Sequence, residues 1–267
     1  QVWINLNDLF RPLEKGGFLW GSERSGFRHL YLYDSQGHLL RQLTTGDWMV
    51  DDIVGVDEQQ QKVYFTSTLA SPLESQLYSV SFEGEQPQRI TLEPGWHSAV
   101  LNPDCTLFVD TYHNLEIAPV INLRSLENGS SIAPIFGQID PRVEEIGLEP
   151  PELISIKNRH GDTLHAAIYR PPSRYGIGPF PTIVYVYGGP HAQLVTNGWS
   201  MTSAMRPQYL RGLGFLVFVL DNRGSARRGL EFESQIKHDM GHLEVEDQED
   251  GDPEGESQHE IHHIPAA

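Results

Sequence analysis

A weak repeat of about 45 residues governs what the first half of this chain can fold into. Gly17-Phe-Leu-Trp-Gly-Ser22 is followed by His29-Leu-Tyr-Leu-Tyr33 and Arg41-Gln-Leu-Thr44. Lys62-Val-Tyr-Phe-Thr-Ser67 is followed by Gln76-Leu-Tyr-Ser-Val80 and Gln88-Arg-Ile-Thr91. A third copy runs Thr106-Leu-Phe-Val-Asp110 and then Pro119-Val-Ile-Asn-Leu123. Phe18, Tyr64 and Phe108 align across the copies, and Gly46-Asp-Trp48 and Gly95-Trp96 mark the same place after the first two. Each copy holds short β-rich runs broken by turn residues, with Asp57 to Gln61 and Asn102 to Thr106 as hairpin turns. Such a period with four short strands is that of a β-propeller blade. A blade cannot bury both faces of its sheet alone, so blades stack in a ring, typically of four to eight. About three are visible, so residues 1–137 are expected to be the last blades of an incomplete propeller. An antiparallel sandwich is the competing reading. Trp20, Trp48 and Trp96 read as packing within the blades.

Phe136 to Pro151 breaks the pattern. Asp140-Pro141 and Glu149-Pro150-Pro151 bracket an acidic, aperiodic segment, expected as a linker over 138–151. Leu153 to Lys157 and Thr163 to Tyr169 flank Asn158-Arg-His-Gly-Asp162, the pattern of an antiparallel hairpin. Thr182 to Val186 is apolar without alternation and reads as a parallel strand buried on both faces. It ends in Tyr187-Gly188-Gly189-Pro190, a sharp corner at a carboxyl end. Open α/β sheets build their sites at such corners. Met205 to Leu213 is helical in pattern, with Gly214 as its stop. Phe215 to Leu220 is a second buried run, which completes a βαβ unit with a right-handed crossover. Glu231 to Gln248 reads as one more helix.

The net charge of −17 argues against nucleic acid or an anionic membrane as partner. Much of that charge lies beyond Glu244, where there is no Lys or Arg. Residues 249–267 are accordingly expected to be an acidic, disordered tail. No apolar run is long enough to span a bilayer. The N-terminus has no initiator Met and no signal-peptide pattern, so the chain reads as cut from something longer. A single cysteine, Cys105, forms no internal disulfide and suits a reducing, cytoplasmic compartment.

Several ordered motifs carry a family resemblance. Val2-Trp-Ile-Asn, Asp8-Leu-Phe10, His29-Leu-Tyr31, Pro72-Leu-Glu74 and Gln76-Leu-Tyr78 resemble the late blades of dipeptidyl peptidases of the prolyl oligopeptidase group. Tyr185-Val-Tyr-Gly-Gly-Pro-His-Ala-Gln193, Asp221-Asn-Arg-Gly-Ser225, Arg228-Gly-Leu-Glu-Phe232 and Met240-Gly-His-Leu-Glu-Val-Glu-Asp-Gln248 resemble the start of that group's α/β-hydrolase domain, over 152–248. Within the dipeptidyl peptidase IV family, the cytosolic eight/nine branch looks most similar. The resemblance implies a serine peptidase that releases Xaa-Pro or Xaa-Ala dipeptides from peptide N-termini, often as a homodimer and without a cofactor. In that family an Asp-supported His activates a Ser hydroxyl. A tyrosine hydroxyl at the position of Tyr187 stabilises the oxyanion. The other reading of Tyr187 is a corner tyrosine packed under its loop.

The chain also departs from the family. No Gly-x-Ser-x-Gly elbow occurs, so the catalytic triad is expected to be absent. Ser200, Asp221 and His242 fall in the right order, but Thr202 stands where an elbow needs glycine. Glu144-Glu145 is the one adjacent Glu pair, and it reads as a solvated linker face, not as the family's anchor for a substrate amine. His259-Glu-Ile-His-His263 is a literal His-Glu-x-x-His, but Pro265 follows and no third ligand does, so no metal is expected. Asp221, Arg223 and Ser225 read as a loop fixed by an ion pair. Glu244, Glu246 and Asp247 read as a solvated helix face. Asn128-Gly-Ser130 fits a glycosylation sequon but reads as a turn. The leading expectation is a fragment of a dipeptidyl-peptidase-like hydrolase, inactive alone. The alternatives are a non-catalytic binding protein built on the propeller blades and a metal hydrolase using the tail.

Overall fold

The computed structural model describes residues 5–6, 8–251 and the backbone of 261–263. The chain forms two units, Gln1–Gln138 with Arg227–Glu231, and Ile139–Ala226 with Phe232–Ala267.

The first unit holds three four-stranded antiparallel sheets. Blade one is β1 (Phe10–Pro12), β2 (Phe18–Ser22), β3 (His29–Tyr33) and β4 (Leu39–Gln42). Blade two is β5 (Val50–Asp57), β6 (Lys62–Ser67), β7 (Gln76–Ser81) and β8 (Gln88–Arg89). Blade three is β9 (Trp96–Leu101), β10 (Leu107–His113), β11 (Val120–Ser125) and β12 (Ser131–Phe136). Each is a simple meander, so every strand pairs with its neighbour in sequence.

Blades one and two share a buried polar clasp. On β3, His29 Nδ1 meets Thr44 Oγ1 at 3.0 Å and Nε2 meets the Gly46 carbonyl at 2.9 Å. On β7, Gln76 takes the place of His29. Its Oε1 accepts from Thr91 Oγ1 at 2.7 Å, and its Nε2 donates to the Glu93 carbonyl at 3.0 Å. The two threonines accept from Leu30 N and Leu77 N respectively. This clasp fixes the register of the repeat: Leu30 corresponds to Leu77. Because Gly21 pairs with Leu30 and Thr66 with Leu77, Leu19 corresponds to Tyr64 and Phe18 to Val63. The sequence alignment of Phe18 with Tyr64 is therefore out by one residue, and one residue in a strand changes the face.

That parity organises the cores. Leu19, Leu30 and Leu43 of blade one pack with Val63, Phe65, Tyr78 and Val80 of blade two. The opposite face of blade two, Tyr64, Leu77 and Ile90, packs with Phe108 and Leu126 of blade three. The remaining face of blade one carries Phe10, Phe18, Trp20 and Tyr33, with Phe18 stacked on Tyr33 at 4.9 Å.

The second unit opens with α1 (Pro141–Ile146), capped by the Asp140 side chain and closed by left-handed Gly147. Its five-stranded sheet has the order β15-β16-β14-β13-β17. β13 (Glu152–Lys157) and β14 (Thr163–Tyr169) are the expected hairpin. β15 (Thr182–Tyr185) runs parallel to β16 (Leu216–Asp221), joined through α2 (Trp199–Thr202) and α3 (Met205–Gly212). Gly214 ends that crossover at φ 96°. Ile154, Ile156, Leu164, Leu216, Phe218 and Phe232 form the core.

Three expectations are corrected. β16 is wholly buried, but β15 is not buried on both faces: Val184 is 45 % exposed, because β15 is the sheet's edge strand among the described residues. The span 231–248 is not one helix. It forms α4 (Leu230–Ser234) and α5 (Leu243–Asp250), with His238 and Gly241 between them at positive φ. Glu249 and Asp250 belong to α5, not to a tail, and Asp250 is buried. β17 (Ile261–His263) pairs with β13, and His259 and Glu260 lie outside the described residues.

Candidate functional site

The corner after β15 takes its shape from residues 187–195. Tyr187 is 61 % exposed, so it is not a tyrosine packed under its loop. Gly188 turns the chain at φ 75°, a conformation with little cost only for glycine. A Cβ placed on Gly189 would lie 3.3 Å from Tyr187 Cε1, so a side chain there would crowd the ring. Pro190 stiffens the next bond, and His191 stands at φ 64°. His191 Nδ1 then meets Glu233 Oε1 at 2.8 Å, and the Glu233 side chain is only 6 % exposed. Ala226 N donates to the Ala192 carbonyl at 2.9 Å. Leu194 N and Val195 N donate to the two carboxylate oxygens of Asp221 at 2.8 and 3.0 Å. The corner loop is thus tied down at three places: to β16, to the loop after β16, and to α4.

Beside the corner lies a groove of about 750 Å³, lined by Val184, Val186, Gly188, Met240, Val245 and Gln248. Val186, Met240 and Val245 are each more than half exposed. In a parallel sheet both sides of a strand are ordinarily covered, and here the edge strand β15 lies open beside Met240 and Val245.

The acids expected on a solvated face of α5 are mostly buried. Asp247 is fully buried and accepts from Arg223 N at 2.7 Å, from Arg223 Nε at 3.0 Å and from Asn158 Nδ2 at 2.9 Å. Asp250 accepts from Arg159 N and Nε at 2.8 and 2.9 Å. Glu244 accepts from Gly241 N at 2.9 Å. Of Glu244, Glu246 and Asp247, only Glu246 faces water in part, and its hydrogen bond from His160 holds its carboxyl below the usual range. Burial alone would lower the Arg223 pKa, but its bonds to Asp247 outweigh that and raise it. Arg223 is therefore a permanent cation pinning α5 to the loop after β16. An ion pair does fix that loop, but between Arg223 and Asp247, whereas Asp221 holds the corner loop through Leu194 N and Val195 N. Ser225 Oγ is buried there without a hydrogen-bond partner.

The remaining candidates separate. Ser200 is exposed on α2, the Asp221 carboxylate faces backbone amides, and His242 Nδ1 meets Asp239 at 3.2 Å. They form no relay. Glu144 and Glu145 stand exposed on α1. Asn128 Oδ1 accepts from Ser130 N at 3.0 Å, which makes the sequon a turn. Among the described residues no group of His, Cys, Asp or Glu is arranged to hold a metal ion. No helix among them is long and apolar enough to cross a membrane. Sequence reasoning misses His191 and Glu233, because a left-handed histidine and a buried acid on a one-turn helix carry no periodic signature.

The chain is similar to known proteins in sequence and in fold. The family described as the dipeptidyl peptidase IV (DPP IV) N-terminal region matches residues 1–119, and the prolyl oligopeptidase family matches residues 199–253. Human dipeptidyl peptidase 8 is 31 % identical over 296 aligned residues, covering 94 % of this chain and 32 % of that protein. A probable dipeptidyl peptidase 4 of Emericella nidulans is 29 % identical, covering 85 % of this chain and 30 % of its own length. The crystal structure of Porphyromonas gingivalis dipeptidyl peptidase 4 superposes with a TM-score of 0.78 at 26 % identity, over 90 % of this chain and 34 % of that one. The chain thus spans about a third of the length of each of these relatives.

Proposed function

Since the chain belongs to the dipeptidyl peptidase IV branch of the prolyl oligopeptidase family, we propose that it supplies the oxyanion side of a serine dipeptidyl peptidase site. The observation that carries this is Tyr187. It is an exposed phenol at the carboxyl end of a parallel strand, at the sheet's free edge and beside an open apolar groove. A strand added parallel to that edge would bring its own carboxyl end next to Tyr187, where a nucleophile's loop belongs in an open α/β sheet. In the reaction the serine oxygen attacks the peptide carbonyl, and the Tyr187 hydroxyl donates to the oxygen that becomes negative. Tyr187 is thus assigned to transition-state stabilisation, and the nucleophile, its His and its Asp to residues beyond this chain.

Two open surfaces support the reading of the chain as part of a larger protein. One is the β15 edge. The other is the aromatic face of blade one, where Phe18, Trp20 and Tyr33 are partly exposed and Tyr31 is buried beneath Arg24. Phe18, Trp20, Tyr31 and Tyr33 occupy the places that Val63, Phe65, Tyr78 and Val80 occupy in blade two, and there that face is covered by the preceding blade. The same register asks for a further blade on blade one, with 1–137 as the latter part of a larger ring. A linker over 138–151 and the first part of a hydrolase domain over 152–248 complete the proposed organisation. The substrate class is a peptide with Pro or Ala second from a free N-terminus. The whole protein is assigned to the cytoplasm as a homodimer, without cofactor, nucleic acid or membrane.

A fluorophosphonate probe, which labels activated serines, tests the assignment. The 267-residue chain should remain unlabelled. Labelling at Ser200 would place a working nucleophile within the chain and overturn the proposal.

A further inference from the structure

We infer that His191 and Glu233 form a clamp that positions Tyr187. The inference rests on Tyr187 being the oxyanion donor. Between Tyr187 and the first residue held by a side chain lie only Gly188, Gly189 and Pro190. Gly188 has no atom within 4 Å of where a Cβ would stand, so its Cβ side is open. The Tyr187 ring stands on the Cβ side of Gly189, where a built Cβ would lie 3.3 Å from its Cε1, so glycine there leaves the ring its place. His191 is the nearest anchor on that side, and its partner is a buried carboxylate at 2.8 Å.

The clamp is built on a rigid base. Gly224 N donates to the Phe232 carbonyl at 3.1 Å, which holds α4 against the loop after β16. A Cβ on Gly224 would stand 2.3 Å from Ile236 Cδ1, so the approach is as close as a glycine allows. Glu233 sits between Phe232 and Ile236 and is 5 % exposed. A carboxylate so buried is costly without a polar partner beside it, and the His191 ring nitrogen stands 2.8 Å from it. His191, by contrast, has a side chain 55 % exposed and contributes little packing. Its left-handed backbone, at φ 64°, is strained for a residue with a Cβ. A strained and exposed residue that reaches a buried acid is the mark of a position held for geometry rather than for stability. The Asp221 contacts to Leu194 and Val195 and the bond from Ala226 N to the Ala192 carbonyl secure the rest of the loop, and His191 is the tie nearest the glycine pair. His191 and Glu233 are positioning residues: neither is assigned contact with substrate.

Amide relaxation of the full 15N-labelled chain tests this without reference to catalysis. Gly188 and Gly189 should have order parameters of about 0.85, like rigid backbone, falling below about 0.6 in both His191→Ala and Glu233→Gln. Leu194 and Val195 should not change. His191→Gln, whose amide can still donate to Glu233, should restore both glycines. Unchanged glycines in His191→Ala, or no difference between the Ala and Gln variants, would overturn the clamp. Should Glu233→Gln fail to fold, the exposed His191 pair of variants decides alone. The clamp can fail while Tyr187 remains the oxyanion donor, and a labelled Ser200 would sink that assignment while leaving the clamp intact.

Discussion

His29 and Gln76 occupy equivalent places and do the same work with different chemistry. Each lies across a threonine and a backbone carbonyl, but only the histidine titrates. Burial lowers the His29 pKa below its ordinary value near 6.5, against the opposing pull of the Gly46 carbonyl and Asp47. The unfolded chain therefore binds a proton that the folded blade resists. The stabilisation is complete above pH 6.5 and is lost as the pH falls through the depressed folded value. His29→Gln, which copies the clasp of blade two, should flatten the acid side of a melting-temperature profile. His113, lowered by burial in the same direction, remains in both proteins, so the difference between the profiles isolates His29. Asp221 invites a second test at this scale. Asp221→Ala removes a charged acceptor from two amides, at a cost of about 1.5–3 kcal/mol for such a bond. Hydrogen exchange at Leu194 and Val195 should accelerate, with the blades unaffected.

At the scale of elements, α5 is held by its acids. Asp247→Ala would leave Arg223, 3 % exposed, with only its longer 3.4 Å contact to Glu246, at a cost approaching about 3–5 kcal/mol. Limited proteolysis should then cut between Met240 and Gly251, a stretch that should resist cleavage in the parent. No pattern in the sequence announces this, because Asp247 finds Arg223 across 24 residues and Asn158 across 89. Three acids along one helix turn look the same whether they face water or a buried guanidinium. The blades are more legible. Their turn residues and alternating runs mark each strand locally, and the meander needs no long-range information. The register is less so: matching Phe18 to Tyr64 by aromaticity ignores the parity that decides which face a side chain takes. β15 illustrates a different limit. Thr182 to Val186 has the composition of a central strand, and composition records the setting a strand is suited to, not which neighbours stand beside it. Tyr187 is legible as a corner residue, but the clamp that holds its loop is not.

Among the described residues, two apolar surfaces of different kinds stand out. The aromatic face of blade one should bind the dye ANS, with Phe18→Ser and Tyr33→Ser reducing the fluorescence while leaving the blade folded. Fluorescence unchanged by both substitutions would place the dye elsewhere, the groove beside β15 being the next candidate. The first unit also draws on a distant segment of the chain. Arg227 belongs to it, with its guanidinium on Asp51 at 2.7 Å, on the Pro72 and Glu74 carbonyls, and 4.6 Å from the Trp96 ring centroid. Leu230 N adds a backbone bond to the Gly26 carbonyl. Arg227→Ala should lower the melting temperature of the blades and alter Trp96 emission, and it should leave the β16 amides protected.

Arg227 and Asp51 are 176 residues apart in sequence. A ribosome adding about 5–20 residues per second needs roughly 9–35 s to cover that distance. During that interval the emerging blades have an acid without its cation and an indole without its cap. A chain released before residue 231 would carry all twelve blade strands and still lack part of the unit they belong to.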